Sequence, residues 1–232
     1  MITFMPNRFF VTGTCTEVGK TVVSRALLQS FIKQGKRAVG YKPIAIASHS
    51  TEEGARNHDA LILQSSSSVA VPYEDINPII IENHAALTYH DEPMNYARLS
   101  AGLNKLGSLA DCVIVEGTGG WRFLLNGMRP VSDWVIEEKL PVILVVGIQL
   151  GCINHAILTA EAITRDGLKI AGWVANRINP GLAYYAETIA ALQQNIPAPL
   201  IGELPYLGRP EERDLTGFID LTQMASVLSP SY

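Results

Sequence analysis

The sequence predicts an α/β fold: a doubly wound, mostly parallel sheet with helices on both faces. Three observations predict it. Apolar runs rich in Val, Ile and Leu recur along the chain, helical patterns separate them, and most runs end in a Gly, Asn, Glu or Lys. Unbroken apolar runs mark strands buried on both faces. Their alternation with helices at this spacing builds parallel βαβ units. The chain has 232 residues, 47% hydrophobic and 17% charged, enough for one α/β domain with a large core. Residues 1–232 read as a single domain, because no Pro/Gly/Ser-rich linker and no internal repeat divides them.

Taken in order, Phe-Phe-Val-Thr at residues 9–12 is the first strand. Residues 21–34 form a helix ending near Gly35. Residues 37–41 are the next strand, closed by Lys42-Pro43. The stretch from Ser48 to Arg98 is less regular, with Ser65 to Ser68, Pro72, Pro78 and Pro93, and a helix start at Arg56-Asn57-His58-Asp59-Ala60. Residues 111–115 are a buried strand leading into Glu116-Gly117-Thr118-Gly119-Gly120, which reads as a Gly-rich loop. Residues 141–146 are a strand leading to Gly147, and residues 154–166 a helix ending at Gly167. Residues 170–175 lead into Asn176-Arg177, residues 182–194 are helical, and residues 200–203 are a short strand. Ligands of open α/β sheets bind beyond the carboxyl ends of the strands. The loop after the first strand, Lys42, Glu116, Gly147 and Asn176 are therefore expected along one edge.

The loop carries the strongest chemical signal: Gly13-Thr14-Cys15-Thr16-Glu17-Val18-Gly19-Lys20-Thr21 between a strand and a helix. Backbone N–H groups at a helix N-terminus, with the helix dipole, favour a phosphate. Lys20 is suited to the outer phosphates of a nucleoside triphosphate and the Thr21 hydroxyl to Mg²⁺, which makes the fold P-loop NTPase-like. The first glycine falls at position 13 rather than 14, so the loop is one residue longer than the usual form. Glu116, at a strand end opposite this loop, is placed to hold Mg²⁺, which takes oxygen ligands and only one or two protein carboxylates. Lys42 suits charge developing on a transferred phosphoryl group; a strand-end surface lysine fits the spacing equally. Asp59 reads more simply as a helix N-cap than as a second carboxylate of the site. Asn176 is either a turn residue or an amide for an adenine edge. Cys152 reads as a helix-start residue and His155 as a packing or capping one.

Composition excludes other classes. Eighteen basic against 22 acidic residues give a net charge of −4, no field for nucleic acid. No apolar run approaches the ~20 residues of a membrane span, and the N-terminus lacks the basic-then-apolar order of a secretory signal. Three cysteines, Cys15, Cys112 and Cys152, make neither a disulfide framework nor a Cys-rich zinc site. The expected setting is the reduced cytoplasm, with no nucleic-acid or membrane partner.

Over nearly its whole length the chain resembles the ATP-dependent dethiobiotin synthetases. The resemblance rests on the Gly13 to Thr21 loop, Gly40-Tyr41-Lys42-Pro43, Arg56-Asn57-His58-Asp59-Ala60, Val115-Glu116-Gly117-Thr118-Gly119-Gly120-Trp121, Leu150-Gly151-Cys152-Ile153-Asn154-His155-Ala156, Gly172-Trp173-Val174-Ala175-Asn176, and the run from Pro197 to Pro205. It implies an ADP-forming ligase that closes the ureido ring of dethiobiotin from 7,8-diaminononanoate, CO₂ and ATP. One amine captures CO₂ as a carbamate, ATP phosphorylates the carbamate, and the second amine displaces phosphate. By resemblance Glu17, Val18, Gly19, Lys20, Thr21 and Val22 hold the triphosphate, Thr21, Asp59 and Glu116 bind Mg²⁺, and Lys42 is catalytic. Gly117, Thr118 and Gly119 border the ATP site, and Asn176, Arg177, Pro205, Tyr206, Leu207 and Glu212 surround the nucleoside. Thr16, Ile46, Gly151, Cys152 and Asn154 contact the diamine acid, the helix start coming from the partner subunit of a homodimer.

Departures from the family pattern cluster on the amine side. Ile46 stands where a serine is expected four residues after Lys42, and Cys15 where the loop carries Asp. Glu82-Asn83-His84 replaces a Ser-Pro-His run, and Thr188 replaces a Tyr, with Tyr184 and Tyr185 nearby. The pattern is similar to a second branch of the family found beside the main synthetase in some bacteria. It also leaves open a same-scaffold ligase with another amine substrate. A partner-switching ATPase of the chromosome- or division-site-positioning type is disfavoured: its extra lysine, five residues before the P-loop lysine, is Cys15 here, and the end at Leu228-Ser229-Pro230-Ser231-Tyr232 is neither basic nor amphipathic. A cobyric-acid-type amidoligase needs a glutaminase domain for which the chain is too short.

Overall fold

A computed structural model describes residues 7–82, 94–125 and 129–224. Asn83, His84 and the segment from Leu228 to Tyr232 lie outside them. In chain order the elements are β1 (Arg8–Gly13), α1 (Lys20–Lys33), β2 (Ala38–Tyr41), β3 (Ile44–Ile46), β4 (His49–Thr51), β5 (Gly54–Arg56), α2 (His58–Ser66), α3 (Tyr73–Ile76), β6 (Ile79–Ile81), α4 (Tyr96–Leu109) and β7 (Cys112–Gly120). There follow β8 (Leu124–Leu125), β9 (Arg129–Pro130), α5 (Val131–Glu137), β10 (Val142–Gly147), α6 (Cys152–Arg165), β11 (Ile170–Asn176), α7 (Tyr185–Asn195) and β12 (Leu200–Leu204).

Six strands form one sheet in the order β12-β11-β10-β1-β7-β2, and every pairing in it is parallel. β2, β10 and β11 are buried at every position, as strands covered on both faces must be. Phe9, Leu27, Leu103, Trp134, Ile143 and Trp173 are fully buried members of the core.

The register decides which side chains meet. Tyr41 pairs with Val115, so in parallel strands Lys42, one step further, comes level with Glu116. Val11 pairs with the same Glu116, and an irregularity between Val11 and Gly13 shifts the β1–β7 register just before the loop. The run Gly117 to Gly120, expected as a loop, instead continues β7, because its glycines allow close strand contact: a Cβ on Gly117 would stand 2.6 Å from the Phe10 ring.

The middle of the chain is more ordered than its pattern predicts. β3 and β6 make a short parallel pair and β4 and β5 an exposed hairpin. α2 packs on β2, where Gly40 lets the helix approach: a Cβ there would meet Leu63 Cβ at 2.7 Å. α6 begins at Cys152, two residues earlier than expected. α7 begins later, because Tyr184 sits at φ 59, the left-handed region. Among the described residues no helix is long and apolar enough to cross a membrane.

The Gly40 contact sets how near α2 comes to the sheet. Gly40→Ala is expected to destabilise the fold by about 1–3 kcal/mol, the usual cost of overpacking, measured as a shift of the urea midpoint at constant slope.

Candidate active site

The residue 14–19 loop joins β1 to α1. Gly19, the N-cap of α1, has φ 87 and no side-chain capping bond. A Cβ on it would stand 2.0 Å from the Asn176 amide nitrogen, so the position admits only glycine. Glu17 is also left-handed, at φ 59, a conformation that costs a non-glycine residue of order 1 kcal/mol and is tolerated at ligand sites. Lys20 is buried, and its Nζ donates to Cys15 O at 3.1 Å. Burial, then the like charge of Lys42, pull its pKa below the ordinary lysine range, against Glu116 and Asp59. A phosphate bound in the loop would offset both with its negative charge.

Beside the loop lies a charge cluster. Lys42 Nζ donates to Glu116 Oε1 at 2.6 Å, to Gly117 O at 3.3 Å and to Asp59 Oδ2 at 3.4 Å. Thr21 Oγ1 donates to the same Glu116 oxygen at 2.9 Å. The Lys42 and Glu116 side chains are 4% and 0% exposed, and Asp59 is 42% exposed. Burial opposes the Lys42 charge, but Glu116 and Asp59 outweigh it and hold its pKa above the ordinary value. The other carboxylate oxygen, Glu116 Oε2, is buried without a partner. Buried acceptors are normally satisfied, so this oxygen is a ligand position in search of a donor or cation. Together with Thr21 and Asp59 it makes an oxygen-only set of the kind that suits Mg²⁺. Among the described residues no group of three His, Cys, Asp or Glu forms an all-protein metal cage.

A cleft of about 480 Å³ gathers Thr16, Glu17, Gly19, Lys20, Thr21, Val22, Lys42, Ile46, Asp59, Glu116, Thr118 and Gly119, with Asn57, Ile62 and Phe123. Most of the expected phosphate, metal and catalytic residues therefore share one wall. Asp59 is not the helix N-cap: Asn57 caps α2 by accepting from Ala60 N, which leaves the Asp59 carboxylate for Lys42. Val18 is buried behind the loop, and its carbonyl accepts from the Asn176 amide at 2.9 Å. Asn176 thus anchors the loop itself, a task its position at a strand end does not reveal.

The remaining nucleoside-side residues lie past the ends of β11 and β12. The Arg177 guanidinium stacks on Tyr185 at 4.9 Å, Tyr206 is exposed, Leu207 packs on the core, and Glu212 pairs with Arg209. Arg25 of α1, which nothing in its sequence context singles out, donates to Pro210 O and Arg213 O. It ties this segment to the phosphate helix.

Gly151, Cys152 and Asn154 do not reach the Lys42 cleft of their own chain. They line a separate cavity of about 590 Å³ with Leu150, Ile153, Leu182 and Tyr184. Cys152 is buried and its N–H is taken by Gln149 O, as befits a helix-start residue. His155 is exposed rather than packed, and it caps nothing with its side chain.

A family model described as "AAA domain" matches residues 7–212. The chain is 59% identical over 225 residues to "ATP-dependent dethiobiotin synthetase BioD 2" of Salmonella typhimurium, covering 97% of each chain. It is 58% identical over 221 residues to the like-named protein of Yersinia pestis, covering 95% of this chain and 100% of that one. To "ATP-dependent dethiobiotin synthetase BioD" of Vibrio vulnificus it is 48% identical over 220 residues, 93% of this chain and 97% of the other. Among solved structures it is similar to the MinD cell division protein of Aquifex aeolicus (TM-score 0.52, 14% identity, 96% and 95% of the two chains). It is equally similar to a ParA family ATPase of Chlorobium tepidum (TM-score 0.52, 14% identity, 96% and 97%). Those likenesses are of fold alone, and they make the fold P-loop NTPase-like.

The buried pair gives a direct expectation. Glu116→Gln leaves the Lys42 ammonium with only half-exposed Asp59 as counter-charge, and should destabilise the protein by ~3 kcal/mol, the low end for breaking a buried pair. Equilibrium urea unfolding measures this. In a Lys42→Met background the same change should cost much less, since no stranded charge remains.

Proposed function

This chain belongs to the ATP-dependent dethiobiotin synthetase family, and we propose that Lys42, held by Glu116 at the floor of the cleft, is its catalytic residue. The protein is an ATP-dependent ligase that forms dethiobiotin in biotin biosynthesis. Its substrates are 7,8-diaminononanoate, CO₂ and ATP. The observation that carries the site assignment is the meeting of Lys42, Glu116 and the P-loop Thr21 within hydrogen-bond reach.

The loop amides and Lys20 hold the triphosphate at the N-terminus of α1. Thr21, Asp59 and the unpartnered Glu116 oxygen hold Mg²⁺, which when bound neutralises phosphate charge. An amine of the substrate attacks CO₂ to form an anionic carbamate. A carbamate oxygen attacks the γ-phosphoryl group, ADP leaves, and the second amine displaces phosphate as the ring closes. Lys42 faces negative charge in each of these steps. Its buried carboxylate partner keeps it protonated and aimed, so little reorganisation accompanies reaction.

The diamine's carboxylate is met by the start of α6 from a partner subunit. Two observations support this. Gly151 and Asn154 lie away from the Lys42 cleft of their own chain. Leu150 and Tyr184, 94% and 77% exposed, line that separate cavity and give it an apolar rim that a second copy would bury. The chain therefore works as a homodimer in the cytoplasm, and as one domain.

A changed amine substrate is the second reading, favoured by Ile46, whose apolar side chain lines the cleft at the position where the resemblance leads one to expect a serine.

Purified protein with Mg²⁺ and ATP should release ADP and phosphate only when both 7,8-diaminononanoate and bicarbonate are present. Nucleotide binding without that dependence would sink the assignment. Lys42→Gln should lower kcat by about 10²–10³-fold, the usual cost of removing one preorganised charge-stabilising donor. Its KM for ATP should stay near the wild-type value. Ile46→Ser separates the two readings: if the amine pocket has been re-specified, the variant gains kcat/KM for the diamine.

A further inference from the structure

Lys42 is held at its main chain as well as at its ammonium group. It precedes Pro43, which confines it to extended conformations, and it lies one residue past the end of β2, so the sheet does not use its carbonyl. Its N–H donates to Ile76 O at 2.8 Å, and its carbonyl accepts from Asn77 Nδ2 at 2.7 Å. The end of α3 thus grips both sides of the residue. The same Asn77 amide donates to Ile79 O at 3.1 Å, and its Oδ1 accepts from the Tyr73 hydroxyl at 2.9 Å. Both donors and the acceptor of Asn77 are in use, in a side chain that is buried.

The chain of hydrogen bonds continues. The Tyr73 hydroxyl accepts from Asn57 N–H at 2.7 Å, and Asn57 caps the helix that carries Asp59. The Arg56 guanidinium lies over the Tyr73 ring at 4.3 Å, covering it from solvent. Two segments far apart in sequence, the Lys42 turn and the start of α2, are thereby joined through one phenol.

We propose that Tyr73 and Asn77 are positioning residues of the ligase: they set the distance between the Lys42 ammonium and the Asp59 carboxylate by locking both main chains to one hydrogen-bond chain. This rests on the assigned role of Lys42. The argument is one of geometry and saturation. Tyr73→Phe removes a single oxygen and leaves two polar groups, the half-buried Asn57 N–H and the buried Asn77 Oδ1, without these partners. Neither group is hydrogen-bonded to the residue 14–19 loop, so the loop is spared.

Amide hydrogen exchange and steady-state kinetics on Tyr73→Phe test it, with Tyr96→Phe as a control, since the Tyr96 hydroxyl bonds Pro130 O elsewhere in the fold. In Tyr73→Phe, exchange should accelerate on the order of tenfold at both Lys42 and Asn57, with β1 and β10 unchanged. Acceleration at only one of the two segments, or at neither, would overturn the coupling. In kinetics, kcat should fall about tenfold with the KM for ATP unchanged, the mark of misplaced reacting groups rather than lost binding. An unchanged kcat, a KM that rises with the loss, or an equal loss in Tyr96→Phe would also overturn it. Wild-type protein that releases no ADP with the diamine and bicarbonate would defeat the assigned reaction instead, and the exchange measurement would still decide the hydrogen-bond chain.

Discussion

The site is organised by one buried ion pair, Lys42 with Glu116. Two charges taken out of water are costly, and their attraction compensates only when the geometry is close and their remaining hydrogen bonds are made. Here the geometry follows from strand register, because Tyr41 opposite Val115 puts Lys42 level with Glu116. The remaining valences draw in the rest of the site. Lys42 takes Gly117 O and Asp59, Glu116 takes the Thr21 hydroxyl, and one Glu116 oxygen is left over. The pair therefore fixes where β2, β7, α1 and α2 stand relative to one another, and it leaves one buried acceptor, Glu116 Oε2, without a partner.

The phosphate loop is built on the same economy of buried polar groups. Its backbone must stay open to a ligand, so it cannot satisfy itself through sheet or helix. Asn176 supplies an outside anchor by donating to Val18 O, and the close approach this needs is why position 19 carries no side chain. Arg25 and Gln29, further along the same helix, donate to carbonyls of the segment after β12. α1 thus carries the end of the loop at its start and holds the segment after β12 along its length.

How much of this could be read from the sequence depended on whether the signal was local. The loop, Lys42 and Glu116 each follow an apolar run, and the parallel sheet placed them together as expected. Glu116 itself is inside β7, because the glycines after it pair with β1 rather than turning away. Asn57 and Asp59 are both favourable N-cap residues, and only the actual helix start tells that Asn57 caps while Asp59 pairs with Lys42. The three-residue strands β3 and β6 are too short to show a period. Tyr73 and Asn77 carry no motif at all; their importance comes from partners well back in the chain, Lys42 at 35 positions before Asn77 and Asn57 at 16 before Tyr73, and tertiary pairing of that kind leaves no periodic trace.

The departures at Ile46, Cys15 and Thr188 follow from the same difference in burial. Cys15 is exposed and Ile46 and Thr188 are half-buried. None shares a hydrogen bond with the Lys42 cluster through its side chain. A change at such a position strands no buried charge. A change at Glu116, Asn77 or Asn176 leaves at least one buried group unpaired, at a cost of about 1–3 kcal/mol each. Positions locked by shared buried partners and positions with independent, partly exposed side chains will therefore tolerate change in opposite degrees. Substitution at the second set leaves the Lys42–Glu116 pair and the Asn176 anchor of the loop undisturbed.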